Sequence, residues 1–207
     1  RQVITAGKKQ AKDSWPLYYE WHEKCYFGAA HGIAGILHTL LQLPAELALA
    51  GPDATDLVWS TVKKLMDCRF SSGNVPSSLG NAKDRLVQFC HGATGMVSLG
   101  LALKVEEAEA FGQVVWIRGL LRKGLGLCHG IPGNGFALLK LHPTGEVWLN
   151  RALHFAVFAV EHKEELLPEA DRPYSLFEGL AGAVCFWAAT LKAARGTKVS
   201  FPCYDFM

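Results

Sequence analysis

The chain has 207 residues, 50% hydrophobic and 19% charged, a balance that excludes a disordered segment and suits one folded domain over residues 1–207. With 21 basic and 19 acidic side chains the formal net charge is +2, which gives no reason to assign nucleic acid or an acidic membrane surface as the main partner. No run reaches the roughly 18 uninterrupted apolar residues of a membrane-spanning helix, so the chain reads as soluble.

The chain opens at Arg1, and Lys8, Lys9 and Lys12 form a short solvated basic cluster. The first organised feature is His31-Gly32-Ile33-Ala34-Gly35, a polar residue followed by Gly-x-x-Gly at the head of an apolar stretch. Apolar spacing predicts a buried helix over 33–43, stopped near Pro44. An amphipathic helix follows over 53–66, with Leu57, Val58, Val62, Leu65 and Met66 as its apolar set. Residues 71–78 are dense in turn formers and read as a loop.

The unit recurs as Cys90-His91-Gly92-Ala93-Thr94-Gly95, then as Cys128-His129-Gly130-Ile131-Pro132-Gly133, and finally as Glu178-Gly179-Leu180-Ala181-Gly182. After the second copy come an apolar helix over 96–103 and an amphipathic one over 106–121, with Ala108, Phe111, Val114, Val115 and Ile117 facing inward. The third copy leads into helices over 135–141 and 147–162, the latter with Leu149, Leu153, Phe155, Val157 and Val160 on its inner side. A loop over 167–173 precedes the fourth copy and a last apolar helix over 180–191. The runs of alternation expected of strands are nearly absent.

Copies at spacings of 60, 38 and 49 residues indicate a repeat architecture. Helices after each unit are apolar nearly all round, and those between units are amphipathic, as an inner layer enclosed by an outer one requires. The expected fold is all-α, and its simplest architecture is a ring of helical hairpins in two layers. The polar residues heading each unit would converge on one place.

That place carries chemistry. Cys90, Cys128 and His129 supply two thiolates and one imidazole, a set suited to Zn²⁺ with one coordination position left over. Two thiolates cancel the charge of the ion, so a third thiol bound there would lose its proton near neutral pH and still attack an electrophile. The competing reading makes Cys90 and Cys128 small buried residues fitted beside glycine. The six cysteines lack the framework of a disulfide-stapled fold and point to a reducing compartment. His91 reads as a hydrogen-bonded neighbour of the ligands. His31 reads either as a structural histidine or as an acid or base facing the metal across the ring. Glu178 reads first as a helix cap and otherwise as an acceptor of hydrogen bonds from the centre. Lys123, with Arg122 or Arg172 as alternatives, would meet a substrate carboxylate, and the N-termini of inner helices add attraction for anions.

The units Gly28-Ala29-Ala30-His31-Gly32, Phe89-Cys90-His91-Gly92-Ala93, Gly126-Leu127-Cys128-His129-Gly130 and Ser175-Leu176-Phe177-Glu178-Gly179 resemble the lanthionine synthetase C-like family, and most of all its vertebrate members. The likeness spans nearly the whole chain and implies the family's α/α toroid, a double-layered helical barrel of hairpins, here its C-terminal portion: an incomplete ring of about four hairpins, with those at the front missing. It implies zinc on Cys90, Cys128 and His129, an acid/base role for His31, and glutathione contacts from Lys123, Asp171 and Arg172. Pro168 stands where relatives carry an arginine. The implied activity is glutathione transfer, a Michael-type addition of the thiol to dehydroalanine or dehydrobutyrine residues of a peptide or protein. The alternative is a non-catalytic glutathione- and zinc-binding scaffold. The implied location is cytoplasmic, with peripheral association at the plasma membrane.

Overall fold

The computed structural model describes residues 1–170 and 172–206, and among these every regular element is helical. The elements in chain order are α1 (Gln2–Lys9), α2 (Ile33–Leu41), α3 (Pro44–Ala48), α4 (Ala54–Met66), α5 (Ala93–Leu103), α6 (Val105–Arg118), α7 (Ile131–Leu141), α8 (Glu146–Glu161), α9 (Lys163–Leu166) and α10 (Leu180–Ala194). A short 3₁₀ turn, His142–Thr144, separates α7 from α8. Extended pairing is confined to isolated bridges at Trp21–Lys24 and Tyr26–Ser78.

Four helices, α2, α5, α7 and α10, form an inner row in chain order, each packed on the next. Outside them α4 lies on α2, α6 on α5 and α8 on α7, so three inner helices each own an outer partner. Local chemistry sets the boundaries. Pro132 occupies the first turn of α7, where its missing N–H costs no hydrogen bond. Glu106 and Glu107 open α6 and Arg118 closes it, matching the helix dipole. The Asn74 side-chain oxygen accepts the Ala93 N–H at 2.8 Å and satisfies a donor at the start of α5.

The repeat has a steric cause. In each unit a Cβ on the second glycine would fall on the carbonyl oxygen six residues earlier: 2.0 Å at Gly35 and Ala29, 2.5 Å at Gly95 and Phe89, 1.9 Å at Gly133 and Leu127, 2.4 Å at Gly182 and Leu176. Only glycine lets the first helical turn fold this tightly onto its incoming loop.

Inner helices α5 and α7 are buried nearly all round, as their composition predicts. On α6 and α8 three expected inward residues point outward: Ile117 is 76% exposed, and Val157 and Val160 are about half exposed. The buried stripes are Ala108, Phe111, Val114 and Val115 on α6, and Trp148, Leu149, Ala152, Phe155, Ala156 and Ala159 on α8. Small Ala152, Ala156 and Ala159 let α8 approach α7 closely, which rotates Val157 and Val160 to solvent. α10 packs on α7 and α8, and its Val184 and Leu191 are exposed.

The C-terminal segment returns along the ends of α2 and α7. Phe201 stacks on Phe89 at 4.4 Å and lies 5.3 Å from Phe136, while Tyr204 stacks on His38 at 4.4 Å. Asp205, 8% exposed, is 3.1 Å from His38 Nε2 and 2.7 Å from Lys140 Nζ, and its other oxygen accepts the Phe201 N–H at 2.7 Å. Burial alone would raise its pKa; the His38 and Lys140 contacts overcome this and bring it down to about 2. No helix among the described residues is long and apolar enough to cross a membrane.

Candidate metal centre

The loops that precede the inner helices lie side by side in chain order, tied by backbone hydrogen bonds. Ala29 N–H donates to Phe89 O at 3.3 Å, Cys90 N–H to Cys128 O at 3.1 Å, and Cys128 N–H to Phe177 O at 2.7 Å. Glycines permit this spacing: a Cβ at Gly28 would lie 1.8 Å from Cys90 O, and one at Gly126 2.3 Å from Phe177 O. The two cysteines, 38 positions apart in sequence, are therefore bonded neighbours in space.

Cys90, Cys128 and His129 each offer one ligand atom, and the three atoms lie within 4.8 Å of one another. Tetrahedral bonds of about 2.3 Å to sulfur and 2.0 Å to nitrogen place ligand atoms roughly 3.5 to 3.8 Å apart, so a contraction of about an ångström or less seats an ion. The donor set fits a borderline-soft divalent metal such as zinc. Cys90 is buried and the other two are half-buried, which leaves one side of the triangle open.

The sulfurs share a proton. A hydrogen bond from the Cys128 thiol, aided by the Gln88 amide, holds Cys90 below the usual thiol range, and the same contact pushes Cys128 up. Lys123 adds its positive charge in favour of the Cys90 thiolate. The two thiols are thus unequal before any ion arrives, and metal binding would release their protons.

The Asn134 side chain, fully buried on α7, braces this loop. Its amide N–H donates to Val87 O at 2.9 Å and to Gly119 O at 2.8 Å, and its oxygen accepts the Thr94 hydroxyl at 2.7 Å. Such a satisfied buried network fixes one arrangement of the loop ahead of α5.

His31 sits on the adjacent loop, beside the cysteine loop and not across from it, because the loops pair in chain order. Its Nε2 is 3.0 Å from His91 Nε2, and its ring touches Trp21 and Tyr26. Burial lowers the pKa of His31; burial, with the nearby His31 and His129, pushes His91 down to about 4. The pair is therefore largely neutral near pH 7. His31 also lines an open cleft of about 470 Å³ along α2, with Trp21, Ala30, Ile36 and Tyr204.

Lys123 and Arg172 are exposed on neighbouring loops: Gly124 packs on Leu166 O and Ala170, and Gly179 against Arg172 O. Asp171 lies outside the described residues. Arg122 faces a different groove, shared with Phe158, His162 and Glu169. Glu178 does not cap α10, whose N-cap Gly179 has no side-chain bond; instead the Glu178 N–H donates to Ser175 Oγ at 3.1 Å. All six cysteines are free. The His31–His91 contact and the Gln88 amide at Cys90 escaped the sequence reading, since neither has a spacing signature.

A family model described as lanthionine synthetase C-like protein matches residues 1–205. The chain is similar to a Danio rerio protein named glutathione S-transferase LANCL1, 38% identical over 213 residues, covering 98% of this chain and 51% of that protein. It is also similar to the LanC-like protein GCL1 of Arabidopsis thaliana, 41% identical over 203 residues, covering 89% of this chain and 46% of that one. The chain spans about half the length of these curated relatives.

Proposed function

Because the chain belongs to the lanthionine synthetase C-like family, we propose that it carries the thiol-activating centre of a glutathione transferase, adding glutathione to dehydroalanine or dehydrobutyrine residues of a peptide or protein. The observation that carries this reading is the convergence of Cys90, Cys128 and His129 within 4.8 Å beside a histidine pair; the name of the Danio rerio relative supplies the thiol.

Cys90, Cys128 and His129 would hold zinc, which when bound makes a coordinated thiol acidic at neutral pH. The remaining chemistry belongs to the chain. Lys123 and Arg172, on neighbouring loops, and the adjacent Asp171 suit the carboxylates and amine of glutathione. Sulfur bonds to the β-carbon of the dehydroamino acid as its double bond opens, and the α-carbon needs one proton. His31, neutral because its pKa is lowered, takes the thiol proton. The resulting imidazolium is a strong enough acid to return that proton to the α-carbon, so the addition balances with no other reactant. The His91 nitrogen at 3.0 Å fixes the ring that makes both transfers.

A second reading, a glutathione- and zinc-binding scaffold without turnover, is favoured by one feature: the cleft holding His31 is open, so water is not excluded from the reacting atoms. One experiment separates the readings. The protein is loaded with zinc, given glutathione and a dehydroalanine peptide, and followed by mass spectrometry beside a Cys128→Ala variant. An adduct formed by the native protein alone supports transfer; glutathione binding without adduct supports the scaffold; absence of bound zinc from the native protein overturns both.

A further inference from the structure

Gln88 lies two residues before Cys90 in a turn closed from both ends: Gln88 N–H donates to His91 O at 3.0 Å, and His91 N–H to Gln88 O at 3.2 Å. The turn brings the Gln88 side chain against Cys90, two residues further on. Its amide nitrogen, Nε2, donates to Cys90 Sγ at 3.2 Å, and both residues are buried. An N–H to sulfur contact of this length away from water is a full hydrogen bond. The loop beneath it is pinned by Asn134 at Val87 O and by Ala29 at Phe89 O, so Gln88 is held in place independently of any ion.

We infer that Gln88 is a positioning residue for the metal centre, whose amide N–H draws charge from the Cys90 sulfur and makes the two thiolates unequal ligands. The inference rests on the proposed metal site. Nothing in the repeat demands an amide at this place, since the contact is made by a side chain outside the glycine units. Its consequence is electronic. A sulfur that has given part of its charge to an N–H donates less to an ion, which leaves that ion a stronger Lewis acid toward a further thiol. It also aims the remaining Cys90 lone pairs toward Cys128 and His129.

The test substitutes Co²⁺ for zinc in the full chain and compares native protein with Gln88→Met, which keeps the length and loses the donor, and Gln88→Glu, which keeps the shape and replaces the N–H donor with a carboxylate oxygen. The expected result is a sulfur-to-cobalt charge-transfer band at longer wavelength in both variants. A purely structural role would lower affinity and leave the band in place, so an unmoved band overturns the inference. Native protein needs no substitution for a second readout. Loaded with cadmium-113, it should show scalar coupling between the metal and a Gln88 side-chain amide proton, carried through Cys90 Sγ; its absence likewise overturns the inference. Native protein that takes up no metal overturns the metal site as well, whereas metal uptake with an unmoved band and no coupling sinks the Gln88 role alone.

Discussion

Replacing Gly28 with alanine tests whether the spacing of adjacent loops sets the sulfur geometry. A Cβ there would lie 1.8 Å from Cys90 O, 2.5 Å from its carbonyl carbon and 2.9 Å from His91 Cα, all backbone atoms with no rotamer to swing away. An ordinary carbon–oxygen contact is about 3.3 Å, so the loops must separate by roughly 1.5 Å. Overpacking on this scale costs about 1–3 kcal/mol, which for a chain of this size lowers Tm by about 2–12 °C. The displacement also exceeds the ~0.5 Å tolerance of a preorganised site, so zinc affinity should fall more than tenfold. Thermal melts by circular dichroism and a chelator competition read the two effects. Gly145→Ala is the control, since its Cβ would meet nothing closer than 3.9 Å; its cost should stay within about 1 kcal/mol, with zinc affinity unchanged. If Gly28→Ala melts within about 2 °C of the native protein and binds zinc equally well, loop contact does not determine where Cys90 sits.

Two further outcomes follow from the geometry. Asp205 has a folded pKa of about 2 against an ordinary value near 3.9, so its contribution is present above about pH 4 and is lost as pH falls toward 2. Asp205→Asn should therefore cost about 2 kcal/mol in urea unfolding at pH 7, about half of that at pH 3 and little at pH 2; a cost independent of pH would discredit the carboxylate–His38–Lys140 contact as its source. His31→Asn should leave zinc content intact and slow glutathione addition by about 10²–10⁴-fold, and a rate within threefold of native would remove His31 from proton transfer.

Much of the inner layer was legible in the sequence because each Gly-x-x-Gly unit marks the point where an inner helix starts. The helices after units one to four begin at Ile33, Ala93, Ile131 and Leu180, within a few residues of where apolar spacing placed them. Helix α1 escaped notice because Gln2–Lys9 holds few apolar residues, and only Ile4 and Gly7 are buried. Hydrophobicity alone puts Ile117, Val157 and Val160 inside, whereas the buried face of α8 joins Trp148, Leu149 and Phe155 to three alanines whose pattern carries little hydrophobic signal. The approach of Cys90 to Cys128 followed from their equivalent places in the repeat. The order of the loops did not, since it depends on backbone pairing, and so His31 was placed opposite the cysteines instead of against His91.

The return of the C-terminal segment bears on when the molecule can finish folding. His38 and Asp205 are separated by 167 residues. At ~5–20 residues per second a ribosome needs about 8–30 s to make the carboxylate after the imidazole has been polymerised. During that interval the nascent α2 lacks its Asp205 and Tyr204 contacts, and the aromatic surface of Phe89 and Phe136 awaits Phe201. Until then α2 relies on its packing against α3, α4 and α5.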